Sequence, residues 1–140
     1  MQPKFALVLV GIVALLGLAA CQRAQPGDAV VTVTMDEWSL QPSLTSVRAG
    51  KVTFQVINRG NTEHELVVVK TDRGPKDLVM RADGTKVDED ASGQNVGEIE
   101  EVAAGQTKTG TFDLAPGHYV LTCNQPEHYQ QGMVAAFEVR

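Results

Sequence analysis

The stretch HYVLTCNQPEHYQQGMVAAFEV, residues 118–139, decides how the rest of the chain is read. Its two ends, HYVLTC (118–123) and MVAAFEV (133–139), are short, largely apolar runs of strand length. Between them CNQPEHYQQGM, residues 123–133, packs a thiol, an imidazole and a thioether into one loop. A small core could use the methionine and a surface loop the histidine, but neither needs the cysteine. The question is which other groups the chain can bring to the same place.

Working outward, TKTGTFDL (107–114) and HYVLTC flank the turn Ala115-Pro116-Gly117 and read as a hairpin. VVTVTM (30–35) alternates β-branched residues. KVTFQVI (51–57) puts Val52, Phe54 and Val56 on one face and Lys51, Thr53 and Gln55 on the other. HELVVVK (64–70) is apolar enough to be an interior strand. Six or more short strands separated by turn signals point to an all-β antiparallel sandwich or barrel. The pattern fails between residues 71 and 101, a polar, acidic, Gly-containing stretch that allows at most a short helix around 76–81. It reads as one long acidic excursion between strands. The sequence has no internal repeat, low-complexity tract or Gly-rich phosphate loop.

The chain has 140 residues, a formal charge of −5 and 43% hydrophobic residues, enough for one domain and a short appendage. The appendage is N-terminal. After Lys4 comes FALVLVGIVALLGLAA (5–20), uncharged but shorter than the roughly 20 apolar residues of a membrane-spanning helix. It suits the apolar core of a secretory signal peptide, residues 1–20. The run ends in LAAC, which resembles the lipobox of bacterial lipoproteins and implies that the peptide is removed and that Cys21 carries lipid. Residues 21–29 then form a lipidated tether and 30–140 the folded domain. The expected location is outside the cytoplasm, periplasmic or cell-surface, lipid-anchored to the membrane.

With Cys21 assigned to lipid, Cys123 has no disulfide partner among the two cysteines of the chain. A lone thiol in an exported protein is an oxidation liability unless it is buried or bound. Cysteine, imidazole and thioether together are a soft-ligand set. Two His and one Cys in a trigonal plane with a weak axial Met form the blue-copper electron-transfer site. The loop offers Cys123, His128 and Met133, so one imidazole must come from elsewhere, and only three histidines exist. On the 118–123 strand, alternation puts Tyr119, Leu121 and Cys123 on one face and His118 on the other. His64, just after the turn NRGNTE, is the remaining candidate.

VINRGNTEHELVVV together with APGHYVLTCNQPEHYQQGM resembles the cupredoxin family, in particular its small secreted bacterial members. The likeness spans roughly residues 30–140, including EWSL and AGKVTFQV. It implies a Greek-key β-sandwich with one copper ion under loops at one end, held by His64, Cys123, His128 and Met133 and cycling between Cu(II) and Cu(I). One departure stands out. Pro126-Glu127 occupies a place where relatives commonly carry Pro-Gly, so Glu127 is expected in a turn conformation that Gly accepts freely. Trp38 and Tyr119 are expected as core or rim residues.

These residues exclude most copper enzymes. A multicopper oxidase or copper nitrite reductase needs several additional histidines, and a two-copper electron-entry site needs a second ligand Cys. A thioether is a poor zinc ligand. The sequence therefore implies a non-enzymatic one-electron carrier between envelope redox partners, with copper buffering or delivery as the alternative. A copper-free interaction module is disfavoured by the four intact ligand positions. Expected partners are a redox protein, such as a cationic c-type cytochrome or a membrane oxidase or reductase, and the membrane through the N-terminal lipid. No nucleic acid is expected, and the protein is expected to be a monomer. The acidic excursion, including Asp88, Glu89 and Asp90, is either a solvated loop or a docking face for a basic partner.

Overall fold

In the computed structural model, which describes residues 28–140, the first β-branched run forms β1 (Ala29–Asp36), with Val31, Val33 and Met35 buried on one face. The chain continues through β2 (Ser39–Pro42), β3 (Ser46–Val47), β4 (Gly50–Asn58) and β5 (His64–Lys70). After the excursion come α1 (Glu89–Ser92), β6 (Gln94–Val102), β7 (Thr107–Leu114), β8 (Gly117–Thr122), α2 (His128–Gln131) and β9 (Val134–Val139). The expected signal peptide, Cys21 and most of the expected tether fall outside the described residues.

The strands form a four-stranded sheet in the order β2-β1-β4-β7 and a five-stranded sheet in the order β3-β9-β8-β5-β6. Most neighbours in space are not neighbours in sequence. The chain passes back and forth between two facing sheets as a Greek-key β-sandwich. Val52, Phe54 and Val56 of β4 meet Leu66, Leu121 and Phe137 in one core. Phe54 sits at its centre, with ring centroids 5.5 Å from Phe137 and 6.2 Å from Phe112. Burying a side chain of this size contributes about 1.5–3 kcal/mol.

Two expectations need correction. The sheets are mixed rather than antiparallel: β1 runs parallel to β4, with Val31 opposite Phe54, and β3 runs parallel to β9. Side-chain alternation has the same period in either direction, so it carries no sign of strand polarity.

The second correction concerns the excursion. Its last third is β6, antiparallel to β5, and residues 76–81 form turns and a bridge from Met80 to Val87 rather than a helix. The β5–β6 register shifts twice, between His64 and Leu66 and between Val68 and Val69. The inward residues Val96, Ile99 and Val102 are therefore spaced by three rather than two, and the strand hides among its carboxylates. The helix of this region is α1, whose cap Asp88 accepts a hydrogen bond from Ala91 N at 3.0 Å.

The excursion folds onto the outer face of the five-stranded sheet. Leu78 and Val87 pack there against Val120, flanked by Met80, Tyr129 and Val134. This covering buries β5 on both faces, with Leu66 and Val68 in the main core and Val67 and Val69 also inaccessible. β5 and β8 pair with Val67 opposite Thr122. That register brings His64, at the start of β5, and Cys123, just past the end of β8, to the same end of the sandwich.

Candidate metal centre

The inward alternation of β8 carries Tyr119 and Leu121 into the core, and Cys123 follows on the same side, 0% exposed. The Cys123 backbone N donates to Met133 O at 3.0 Å, closing the loop between β8 and β9 at its base. Met133 N in turn donates to His128 O at 3.2 Å, and Thr122 Oγ1 donates to Met133 O at 3.1 Å. The spacing of the three residues is thus set by backbone hydrogen bonds as well as by sequence.

The loop turns at Glu127, which stands at φ 69° and ψ −7° in the left-handed region, as the departure from Pro-Gly led one to expect. A Cβ there costs roughly 1–2 kcal/mol. Glu127 N donates to Thr85 O at 2.7 Å, so the excursion holds the turn from outside. His128 N donates to Gln125 O at 3.1 Å, and α2 closes at Gly132, φ 113°. His128 is 8% exposed, and its ring meets the edge of Trp38 at 4.9 Å between centroids.

His64 enters from a turn fastened on two sides. The buried Asn58 side chain donates to Thr62 O at 2.7 Å and Val102 O at 2.8 Å and accepts from Gly60 N at 2.8 Å. On the other side, Glu37 Oε1 accepts from Asn61 N at 2.8 Å and from Thr62 N and Oγ1 at 2.9 Å each. Asn58 and Glu37 are the supporting residues that the sequence reading missed. The Asn-x-Gly turn pointed to the first, and nothing in the spacing of the chain pointed to the second.

His64, Cys123 and His128 form one buried group. Their nearest atoms are His64 Nδ1 and His128 Nδ1 at 3.2 Å, Cys123 Sγ and His128 Nδ1 at 3.3 Å, and Cys123 Sγ and His64 Nδ1 at 3.8 Å. A point equidistant from three atoms so spaced lies about 2 Å from each, close to metal–nitrogen and metal–thiolate bond lengths. Glu65 N donates to Cys123 Sγ at 3.4 Å, a stabilising contact for a thiolate. The donor set therefore fits a small, soft-ligated cation.

Burial dominates the electrostatics. It pushes the Cys123 thiol up to about 11. It also lowers the His64 imidazole, against the opposing pull of the Glu37 and Asp36 charges, and lowers His128, where the neighbouring His64 acts in the same direction. Burial thus favours neutral imidazoles and a protonated thiol, whose proton an incoming cation must displace. Because the folded-state pKa of Cys123 is raised, the protonated thiol contributes stability below the unfolded thiol range. That contribution is lost as pH rises toward 11.

The remaining sequence candidates are placed as follows. Met133 is 0% exposed, in the same core cluster as Cys123 and at the closing end of the loop. His118 lies on the opposite face of β8, exposed to solvent. Tyr119 is a core residue whose hydroxyl donates to Ala115 O at 2.7 Å. Trp38, 43% exposed, belongs to the rim beside His128. Cys21 lies outside the described residues.

The family described as cupredoxin-like domain matches residues 7–136. The chain belongs to the cupredoxin-like family. No curated protein sequence matches it. Among solved structures it is similar to the auracyanin of Roseiflexus castenholzii, at 20% identity over 84% of this chain and 99% of that one, TM-score 0.57. Auracyanin A of Chloroflexus aurantiacus, described as a "blue" copper protein, is 22% identical over 81% of this chain and 100% of its own, TM-score 0.56. Rusticyanin of Thiobacillus ferrooxidans is 16% identical over 83% of this chain and 79% of its own, TM-score 0.58. Likeness at these identities establishes the shared fold.

Proposed function

We propose that the protein is a type-1 copper protein that carries single electrons, with His64, Cys123, His128 and Met133 as the residues that would hold one copper ion. The observation that carries this reading is the buried triangle of two imidazole nitrogens and a thiol sulfur. When bound, copper supplies the Cu(II)/Cu(I) couple.

The protein's own contribution is positioning and exclusion of water. The core around Phe54 and the loop hydrogen bonds hold the ligand side chains, while His64, Cys123 and Met133 have no exposed surface. His128 alone among the four keeps a slightly exposed edge, beside Trp38, and it would be the route by which electrons reach bound copper. Full burial favours retention of the metal over its delivery to another protein. The loaded protein is expected to be intensely coloured and to bleach reversibly with a reductant. Cys123→Ser should abolish the colour, and His118→Ala should leave it intact. A Cys123→Ser variant with an unchanged spectrum contradicts the assignment.

The second part of the proposal is a basic redox partner, such as a c-type cytochrome, that docks on the acidic side of the metal end. Support comes from β6, whose exposed Glu98 and Glu100 lead toward Val102, the residue paired with His64. Asp88 and Glu89 are already committed within the fold, to the α1 cap and to Asn95 and Asn124, so the exposed Asp90 and Glu100 are the informative positions. Electron exchange with a basic partner should slow as salt rises, because such steering is screened over about 8 Å at physiological ionic strength. Asp90→Asn with Glu100→Gln should flatten that dependence. A rate indifferent to salt argues against the docking face.

The third part is location: an exported protein anchored by lipid on Cys21. The LAAC sequence after an apolar run supports it. The wild-type chain should then fractionate with membranes, and Cys21→Ser should appear in the soluble fraction or as unprocessed precursor. Wild-type protein found wholly in the soluble fraction refutes the anchor.

A further inference from the structure

Glu37 lies in the turn between β1 and β2, far in sequence from the loop that bears His64, yet its carboxylate is the polar group that faces the back of that ring. Oε1 stands 3.5 Å from His64 Nε2, an ion-pair contact longer than a good hydrogen bond. His64 is 0% exposed, and Nε2 has no hydrogen-bond partner. The ring's other nitrogen, Nδ1, points to the metal side, 3.2 Å from His128 Nδ1 and 3.8 Å from Cys123 Sγ.

A neutral imidazole carries one proton, and only the unprotonated nitrogen can donate a lone pair to a metal. For Nδ1 to ligate, the proton must sit on Nε2, where burial makes an acceptor necessary. Glu37 Oε1 is in place. Three hydrogen bonds, from Asn61 N, Thr62 N and Thr62 Oγ1, hold it there. All three partners are donors, which suits a carboxylate oxygen that only accepts. Gly60 lets the carboxylate in, since a Cβ on that residue would collide with the Glu37 side chain.

We infer that Glu37 is the positioning residue of the His64 ligand: its carboxylate stabilises the proton on Nε2, fixes the tautomer whose Nδ1 lone pair faces Cys123 and His128, and keys the NRGNTE turn to the ring. The pairing of a ligating imidazole with an outer carboxylate orients the ring and raises its basicity. Asn58 holds the same turn from inside, so the turn itself does not depend on Glu37 alone. The consequence for metal binding rests on the copper reading above, whereas the tautomer assignment does not.

The test uses the full chain with and without copper, in wild type, Glu37→Gln and Glu37→Ala. Nitrogen-15 NMR of the metal-free protein should find His64 wholly protonated at Nε2 in wild type. Glu37→Gln keeps a carbonyl oxygen for Asn61 N, Thr62 N and His64, so it should retain that tautomer. Glu37→Ala should give a mixture of tautomers and a copper affinity about 10–100-fold lower. The loaded Glu37→Gln protein should show a raised reduction potential, because a negative charge beside the ligand is lost; a purely structural clamp would leave the potential unmoved. If Glu37→Ala keeps the wild-type tautomer, or if Glu37→Gln folds with a mixed one, the inference is overturned. A fixed tautomer in a protein that takes up no copper would sink the copper reading and leave this one standing.

Discussion

Two imidazole nitrogens and a thiol sulfur, held within 3.8 Å of one another on buried residues, set the condition that the rest of the molecule has to meet. In the absence of a cation they are within hydrogen-bonding reach of one another alone, apart from the Glu65 N–H that reaches the sulfur. The chain nevertheless holds them together with its most secure elements. β8 delivers the sulfur from the core, β5 delivers one nitrogen from a strand buried on both faces, and the closed loop before β9 delivers the other. A site assembled before the metal arrives need not reorganise when the charge on that metal changes. That property suits single-electron transfer better than metal release.

Rigidity is distributed over segments distant in sequence. Asn124, next to Cys123, hydrogen-bonds both backbone groups of Val87, with Val87 N donating at 2.7 Å and Val87 O accepting at 3.1 Å, and also reaches Glu89. The excursion is thereby a wall of the site as well as a charged surface. Glu37 and Trp38, adjacent residues in the turn after β1, each lie against one imidazole: the carboxylate faces His64 and the indole makes a T-shaped contact with His128. Raised thiol and lowered imidazole proton affinities share one cause, the burial that this enclosure imposes.

Much of this was legible in the sequence because the decisive signals are local. The loop from Cys123 to Met133 gathers soft-ligand groups within eleven residues and resembles a known family, alternation placed Tyr119, Leu121 and Val52, Phe54 and Val56 on inner faces, and the Pro126-Glu127 departure announced a strained turn. What stayed hidden depends on contacts between distant segments. The two register shifts facing β6 broke the period by which its inward residues Val96, Ile99 and Val102 could be recognised. Parallel pairing of β1 with β4 leaves no mark on either strand. Glu37 is one carboxylate among many until the turn that holds it is seen against His64. The acidic character of residues 71–101 was misleading as structure, since the segment also holds strand β6 and a small apolar cluster.

The central claim is that this chain holds one copper ion by two imidazoles and one thiolate in an arrangement indifferent to its oxidation state. X-ray absorption at the copper edge, recorded on the oxidised and the reduced protein, tests it most directly. The account predicts one sulfur and two nitrogens in the near shell of both forms, with little change in distance between them. A shell without sulfur, or the loss of a nitrogen ligand on reduction, would contradict it.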